Sequence, residues 1–155
     1  MSRKNIKILA VLDNLSKVLE SVDAQLDETD CPLKTKMQVD VAVEELFVNI
    51  ANYAYVPDTG DADILIEIMD SCPIPEDCQE DISDIDRSGN WLRVTLSDSG
   101  TPFNPLLKED PDVTLSAQDR RIGGLGIFMV KKSMDYMYYE FKDGKNNISI
   151  CKKLS

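Results

Sequence analysis

Alternating or continuous apolar positions predict five β-strands in this chain. They cover residues 5–12, 63–69, 91–97, 136–142 and 147–152. The last two strands flank Asp143-Gly144, a dipeptide typical of a tight hairpin turn. The pattern therefore predicts a sheet that ends in a hairpin.

Apolar positions spaced three to four residues apart predict three helices. The first follows Asn14, a candidate N-cap. The second covers about 33–54 and is apolar nearly all round, with Met37 and Val41 among its apolar positions. A helix of this kind is expected to be buried. The third helix covers 125–135.

The order of these elements, β-α-α-β-β-loop-α-β-β, predicts an α+β fold. We expect a two-layer sandwich whose mostly antiparallel mixed sheet is covered on one face by helices. The acidic, proline-rich segment 71–89 is interpreted as a surface loop. Residues 99–122 lack a clear period, and a loop of this length is usually functional or mobile. With 155 residues, the chain is expected to form one domain over 1–155.

Composition excludes several classes of function. Lys and Arg number 17 against 28 Asp and Glu, and this net charge of −11 disfavours nucleic acid and anionic lipid as partners. The chain has no histidine, so it cannot form a Ser-His-Asp triad or a histidine-ligated zinc site, and it cannot supply a phosphoacceptor histidine. No segment approaches the ~20 apolar residues that span a bilayer. The four cysteines lack the spacing of paired zinc knuckles. The N-terminal segment does not have the pattern of a secretory signal, so we expect a cytoplasmic protein with free thiols, and the alternative is a disulfide between Cys72 and Cys78.

Three polar side chains recur on the otherwise apolar second helix. Glu45, Asn49 and Asn52 stand at i, i+4 and i+7, which places them on one helical face. A buried polar group without a partner costs about 1–3 kcal/mol, and a metal–phosphate ligand would provide partners. The amide oxygen of Asn49 suits Mg²⁺, and Glu45 could orient or deprotonate a nucleophile. The alternative is a solvent-facing strip on a half-exposed helix.

A second motif, Asp98-Ser99-Gly100, stands at the end of the third predicted strand. A carboxylate at this position could accept a hydrogen bond from an exocyclic amine, and Gly100 permits the close approach of a flat ring. The alternative is a plain turn.

The third motif leads into the third helix and consists of Gly123, Gly124, Leu125 and Gly126. Glycines allow close backbone approach, and a helix N-terminus presents unpaired N–H groups to an anion. Arg120 and Arg121, just before the motif, could reach phosphate. The alternative is a flexible loop capped by glycines. The spacing is neither that of a Walker A motif nor that of a dinucleotide-binding GxGxxG motif.

In this order, the three motifs resemble those of the GHKL family of ATP-binding domains, which includes gyrase, heat-shock chaperones, histidine kinases and MutL. Within that family the chain is most similar to the anti-sigma-factor serine kinases of the RsbW/SpoIIAB type. The similar segments are VAVEELFVNIANYAY, LSDSGTPFNPL and RRIGGLGIFMVKKSMDYMYYEFKDGKNNISICKKL. With the predicted element order, the resemblance extends over nearly the whole chain.

The resemblance implies the Bergerat ATP-binding fold, with ATP and Mg²⁺ as ligands. It implies that Glu45 is the catalytic or water-positioning carboxylate and that Asn49 is the Mg²⁺ ligand. The other ATP-binding residues that it implies are Asp98 and Gly100 at the adenine, Arg121, Gly123, Gly124, Leu125 and Gly126 at the phosphates, Asn52 near them, and 104–122 as the ATP lid.

This sequence departs from the family pattern near the adenine. Family members often carry a threonine pair after the last hairpin glycine, with one hydroxyl approaching the adenine. Here those positions are Asn146 and Asn147, which puts that contact in question. The segment 71–89 is also longer than the tight hairpin of the family, and Thr101-Pro102 replaces a further glycine.

The function implied by the resemblance is that of a homodimeric serine/threonine kinase that uses Mg-ATP. It would phosphorylate a STAS-domain anti-anti-sigma protein, sequester a sigma factor, or do both. One alternative is a nucleotide-gated binding module without kinase activity, in which ATP orders the lid. The other is an orphan histidine-kinase-like domain that acts on a histidine in trans.

Overall fold

The computed structural model of the chain describes residues 1–75, 86–107 and 124–154. The strands are β1 (Ser2–Leu9), β2 (Asp61–Met69), β3 (Trp91–Asp98), β4 (Tyr136–Lys142) and β5 (Lys145–Lys153). The α-helices are α1 (Leu15–Leu26), α2 (Leu33–Asn49) and α3 (Gly124–Ser133). A π-helical turn over Ile50–Ala54 continues α2, and short 3-10 turns cover Leu12–Asn14 and Pro105–Leu107.

The five strands form one open sheet in the order β1-β2-β3-β5-β4. The predicted α+β architecture is confirmed, and each described pairing is antiparallel rather than mixed. Because the final hairpin inserts β5 between β3 and β4, the two parallel strands β3 and β4 are not neighbours. The hairpin turn has positive φ at Asp143 (55°) and Gly144 (75°), as a tight two-residue turn of this class requires.

The main core lies between one face of the sheet and the helices. Every second residue of the central strands is buried against the helical layer, which explains the alternation in the sequence. On the sheet these residues include Ile64, Ile66, Leu92, Val94, Leu96 and Ile150, and on the helices Val18, Val22, Val39, Val43 and Phe47. Full burial of one such side chain is worth about 1.5–3 kcal/mol, so this layer contributes most of the stabilising free energy.

The second helix is not buried all round, and that prediction is wrong. Leu33, Met37 and Val41 are 70%, 59% and 56% exposed, and they follow one another at i, i+4 and i+8 on a single face. The helix packs one side on the sheet and lies between α1 and α3, so the face opposite the sheet remains at the surface.

The described ends of segment 71–89 pack on the other face of the sheet instead of forming only a surface loop. Ile74 is 2% exposed and forms a small cluster with Trp91 and Cys151. Arg87 fastens the second end to the first, since its Nη1 donates to the Ile74 carbonyl at 2.7 Å. Residues 76–85 lie outside the described part of the chain.

Three of the cysteines, Cys31, Cys72 and Cys151, are free thiols, as expected, and Cys78 lies outside the described residues. Burial raises the pKa of the Cys151 thiol to about 12, so this thiol stays protonated and packs as a small apolar group. Asn14 stands at the N-cap position of α1, but its side chain donates to the Leu9 carbonyl instead of capping the helix. No helix in the ranges 1–75, 86–107 and 124–154 has the length and apolar character needed to cross a membrane.

Candidate functional site

A cavity of about 530 Å³ opens where α2 and β3 end. Its size is within the range of small-molecule sites, and most of its wall is apolar with a few convergent polar groups. The lining residues are Leu46, Asn49, Ile50, Tyr53, Ala54, Asp98, Thr101, Pro102, Phe103, Pro105, Ile127, Tyr139, Asn146 and Ile148. The cavity therefore joins two of the predicted motifs, the helix α2 motif and the Asp98 motif.

Asp98 is the buried carboxylate of the cavity wall, with 7% of its surface exposed. The strand carries it there because Asp98 alternates in step with Val94 and Leu96, which face the helices. Its Oδ1 accepts hydrogen bonds from the Gly100 N–H and from Asn146 Nδ2, each at 2.9 Å. Among the described residues both bonds go to Oδ1, which leaves Oδ2 available to a ligand amine.

Gly100 packs against the end of α2 behind this wall and does not line the cavity itself. A Cβ at position 100 would overlap the backbone carbonyl of Ala54, so only glycine fits this approach. The next residue, Thr101, donates its N–H to the same carbonyl at 3.1 Å. Tyr55 also binds this turn, because its hydroxyl accepts a hydrogen bond from the Ser99 N–H at 2.8 Å. These contacts hold the turn after β3 against the end of α2. Asp98 and Thr101 line the cavity, and the two residues between them do not.

The three polar residues predicted on α2 do not stay together. Asn49 lines the cavity, whereas Glu45, one helical turn before it, is not part of the lining and lies against α3. Asn52 is exposed and does not line the cavity. The helix changes after Asn49 to the π-helical turn, whose i→i+5 bonding moves the following residues out of α-helical register. The pairing of Glu45 and Asn49 follows from the i, i+4 spacing, whereas the i+7 inference assumed that the α-helix continued.

Glu45 is half-buried, and its carboxylate contacts the first turn of α3. A Cβ at Gly126 would overlap this carboxylate, which places the two residues in direct contact. Burial raises the pKa of Glu45, and the neighbouring Glu44 carboxylate raises it further. A carboxyl group with a raised pKa is a better proton acceptor than an exposed one, so Glu45 is suited to general base chemistry.

The glycine motif is only partly within the described residues. Gly124 and Leu125 are the first residues of α3, and Ile127, one turn further, lines the cavity. Arg121 and Gly123 lie outside the described residues, and the predicted lid 104–122 is described only as far as Leu107. The helix therefore begins beside the cavity, as the motif predicts for an anion-binding N-terminus.

Asn49 is the residue that could hold a divalent cation here. Residues 1–75, 86–107 and 124–154 contain no group of three or more acidic, cysteine or histidine side chains able to hold a metal ion. Mg²⁺ commonly takes only one or two protein oxygens and completes its shell with water and substrate phosphates. The Asn49 amide oxygen on the cavity wall fits such a site, in which ligand phosphates supply the other oxygens.

Sequence reasoning missed two polar groups of the cavity, Tyr139 and Asn146. Tyr139 could have been found from strand alternation, because it faces the same side as Met137, which is buried. From the sequence, Asn146 indicates only the loss of the threonine contact that family members often have. In the structure it is 6% exposed and hydrogen-bonded to Asp98, Phe103 and Tyr139.

Comparison with known proteins identifies one family. The model of the histidine kinase-like ATPase domain matches residues 8–152. The match includes Glu45, Asn49 and Asp98, together with the final hairpin. A comparison with curated proteins finds no match.

Proposed function

Because the chain belongs to the histidine kinase-like ATPase domain family, and therefore to a class of ATP-binding domains, we propose that it is a regulatory serine kinase. The proposed reaction transfers the γ-phosphoryl group of Mg-ATP to a serine of a STAS-domain partner. In the same proposal the protein is a homodimer that also sequesters a sigma factor. The serine acceptor and these partners come from the resemblance described above.

One observation carries the proposal: a single cavity has Asp98 on one wall and Asn49 on another, with Glu45 one helical turn from Asn49. Asp98 is a buried acceptor suited to the amino group of adenine, and the apolar wall suits the ring. Asn49 and the start of α3 are suited to the phosphates. These groups are suited to the two chemically different ends of one nucleotide.

Phosphoryl transfer needs mainly positioning and neutralisation of charge. When bound, Mg²⁺ supplies charge neutralisation on the phosphate oxygens. In the proposed step the serine oxygen forms a bond to the γ-phosphorus, and the bond from that phosphorus to the bridging oxygen of ADP breaks. The serine proton passes to the Glu45 carboxylate, whose raised pKa favours accepting it.

These 155 residues contain no histidine, so a histidine acceptor would lie outside them. Phosphoserine and phosphohistidine differ in chemical stability, because phosphohistidine is lost in acid whereas phosphoserine is stable there and is lost in base. The stability of the product therefore separates the serine kinase from a histidine kinase acting in trans.

The test is transfer of radiolabelled phosphate from ATP to STAS-domain candidates, with wild type, Glu45→Gln and Glu20→Gln. Glu20 is an exposed glutamate on α1, outside the cavity lining, so its substitution is the matched control. We expect acid-stable product with wild type and Glu20→Gln, and at least a ~100-fold lower rate with Glu45→Gln, in line with the usual contribution of a general base. ATP affinity should remain within about threefold in both variants. Acid-labile product, or bound ATP without transfer, contradicts the serine kinase.

A further inference from the structure

Asn146 has all of its hydrogen-bonding capacity occupied by the protein. A carboxamide offers two N–H donors and an oxygen with two lone pairs. Nδ2 donates to Asp98 Oδ1 at 2.9 Å and to the Thr101 carbonyl at 3.1 Å, with a longer approach of 3.4 Å to the Gly100 carbonyl. Oδ1 accepts the Phe103 N–H at 3.0 Å and the Tyr139 hydroxyl.

These bonds connect segments that are distant in sequence. Asn146 is at the start of β5 and is directly opposite Asp98 in the sheet register. Its other partners are on the loop after β3 and on β4. At 6% exposure the amide is almost shielded from water, and hydrogen bonds to a carboxylate in such surroundings are stronger than those at the surface.

The hydrogen bond from Asn146 determines which oxygen of Asp98 is available to a ligand. Oδ1 receives two N–H donors, from Gly100 and Asn146, so both of its lone pairs are engaged. A carboxylate oxygen accepts hydrogen bonds and donates none. The other oxygen, Oδ2, is then an acceptor that matches an amino group and repels a carbonyl oxygen.

On these observations we propose that Asn146 is a specificity-determining positioning residue of the nucleotide site. It acts through Asp98: by holding Oδ1, it presents Oδ2 to the cavity and makes the site select a purine with an amino group at C6 over one with oxygen or hydrogen there. It does not contact the base, because its donors and acceptor are already occupied. The inference rests on the proposed function, since it concerns the base of the nucleotide.

A matched control stands at the next residue. Asn147 is on the opposite face of β5, where its side chain bonds Ser97, Glu140 and Lys145 instead of the cavity wall. Leucine has the same branching and number of side-chain heavy atoms as asparagine, and no hydrogen-bonding group. The pair Asn146→Leu and Asn147→Leu therefore compares the same chemical change on the two faces of one strand.

The experiment measures dissociation constants of ATP, GTP and purine riboside triphosphate, which lacks a substituent at C6. A site built to bind an amino group rejects analogues that lack it, and we expect wild type to prefer ATP by about 100-fold or more. Asn146→Leu should reduce the preference for ATP over purine riboside triphosphate at least about tenfold, mainly by weakening ATP. Asn147→Leu should leave the preference unchanged.

Asn146→Asp provides a second variant if the leucine variant does not fold. It keeps the acceptors for Phe103 and Tyr139, removes the donor to Asp98, and should also reduce the preference for ATP. A merely structural role would weaken all three triphosphates equally, so an unchanged preference in the folded variants overturns the inference and leaves the proposed function intact. A wild type that binds none of the three contradicts the proposed function itself.

Discussion

The Glu45 carboxylate lies against the backbone of Gly126 so closely that no side chain fits between them. This contact joins the last turns of α2 to the first turn of α3 and fixes the position of the carboxylate beside the cavity. Gly126 is thus a packing partner of Glu45, in addition to its predicted place at the phosphates. The two roles are compatible, since both require the absence of a side chain at position 126.

Gly126→Ala should destabilise the protein by about 1–2 kcal/mol, although alanine is by itself the better helix residue by about 1 kcal/mol. The new methyl group displaces the Glu45 carboxylate. In the Glu45→Ala background this overlap disappears, so the same substitution should become neutral or stabilising. Urea unfolding of the four proteins measures the effect.

Gly144→Ala is the control for this cycle. A Cβ at Gly144 meets open space, but its φ of 75° disfavours alanine, so we expect a loss of about 1 kcal/mol in either background. If Gly126→Ala is equally destabilising with and without the Glu45 side chain, the contact does not explain the glycine.

Gly100→Ala should be more harmful than Gly126→Ala. The new Cβ would overlap the carbonyl of Ala54, which is backbone and cannot rotate away as a glutamate side chain does. We expect a loss of about 2 kcal/mol or more and weaker ATP binding, because the shifted turn also carries Asp98 and Thr101. Unfolding and nucleotide titration measure both. Ser99→Ala is the control, because it keeps the backbone hydrogen bond to Tyr55 and should change neither stability nor ATP binding. A Gly100→Ala variant with wild-type stability and ATP binding would contradict this account of the turn.

Asp40 predicts a pH dependence of stability. Burial, followed by the facing Asp23 carboxyl, raises its pKa from 3.8 to about 7, and Lys36 opposes this shift. The folded state therefore binds a proton that the unfolded state releases between about pH 4 and 7, so stability falls as pH rises through that window. The chain has no histidine to titrate there, and Glu45, whose pKa is also raised, acts in the same direction.

Asp40→Asn should stabilise the protein at pH 8 by about 1 kcal/mol, a value reduced for the partial solvation of the pair, and should change little at pH 5. Thermal unfolding at several pH values measures this change. Asp30→Asn, at an exposed position, is the control and should follow the wild-type profile. If the stability of Asp40→Asn changes with pH in parallel with that of wild type, the Asp40 and Asp23 carboxyl pair does not cause the pH dependence.

Local patterns predicted the strands and the position of Asp98 at a strand end, because alternation acts within one element. Asp98 and the hairpin turn at Asp143-Gly144 are examples, since each depends on its immediate neighbours. The i+7 spacing does not bring Asn52 into the cavity lining, because the backbone changes to a π-helical turn after Asn49, which the apolar pattern does not indicate.

Properties that depend on packing between elements could not be predicted. The exposed face of α2 around Met37 results from how the helix lies on the sheet, and the apolar count alone suggested burial. The role of Asn146 depends on the pairing of β5 with β3, which brings it opposite Asp98. The order of the motifs indicated a nucleotide site, but not the hydrogen bonds that hold its carboxylate.

The most direct test of the account is calorimetric titration of ATP, with and without Mg²⁺, into wild type, Asp98→Ala and Asp63→Ala. Asp63 is on the opposite face of the sheet and pairs with Lys145 at 3.2 Å, so it serves as the control. We expect saturable ATP binding to wild type and Asp63→Ala, and at least about tenfold weaker binding to Asp98→Ala. Equal affinity in Asp98→Ala, or no heat of binding for any adenine nucleotide at millimolar concentration, would contradict the assignment of this cavity as the ATP site.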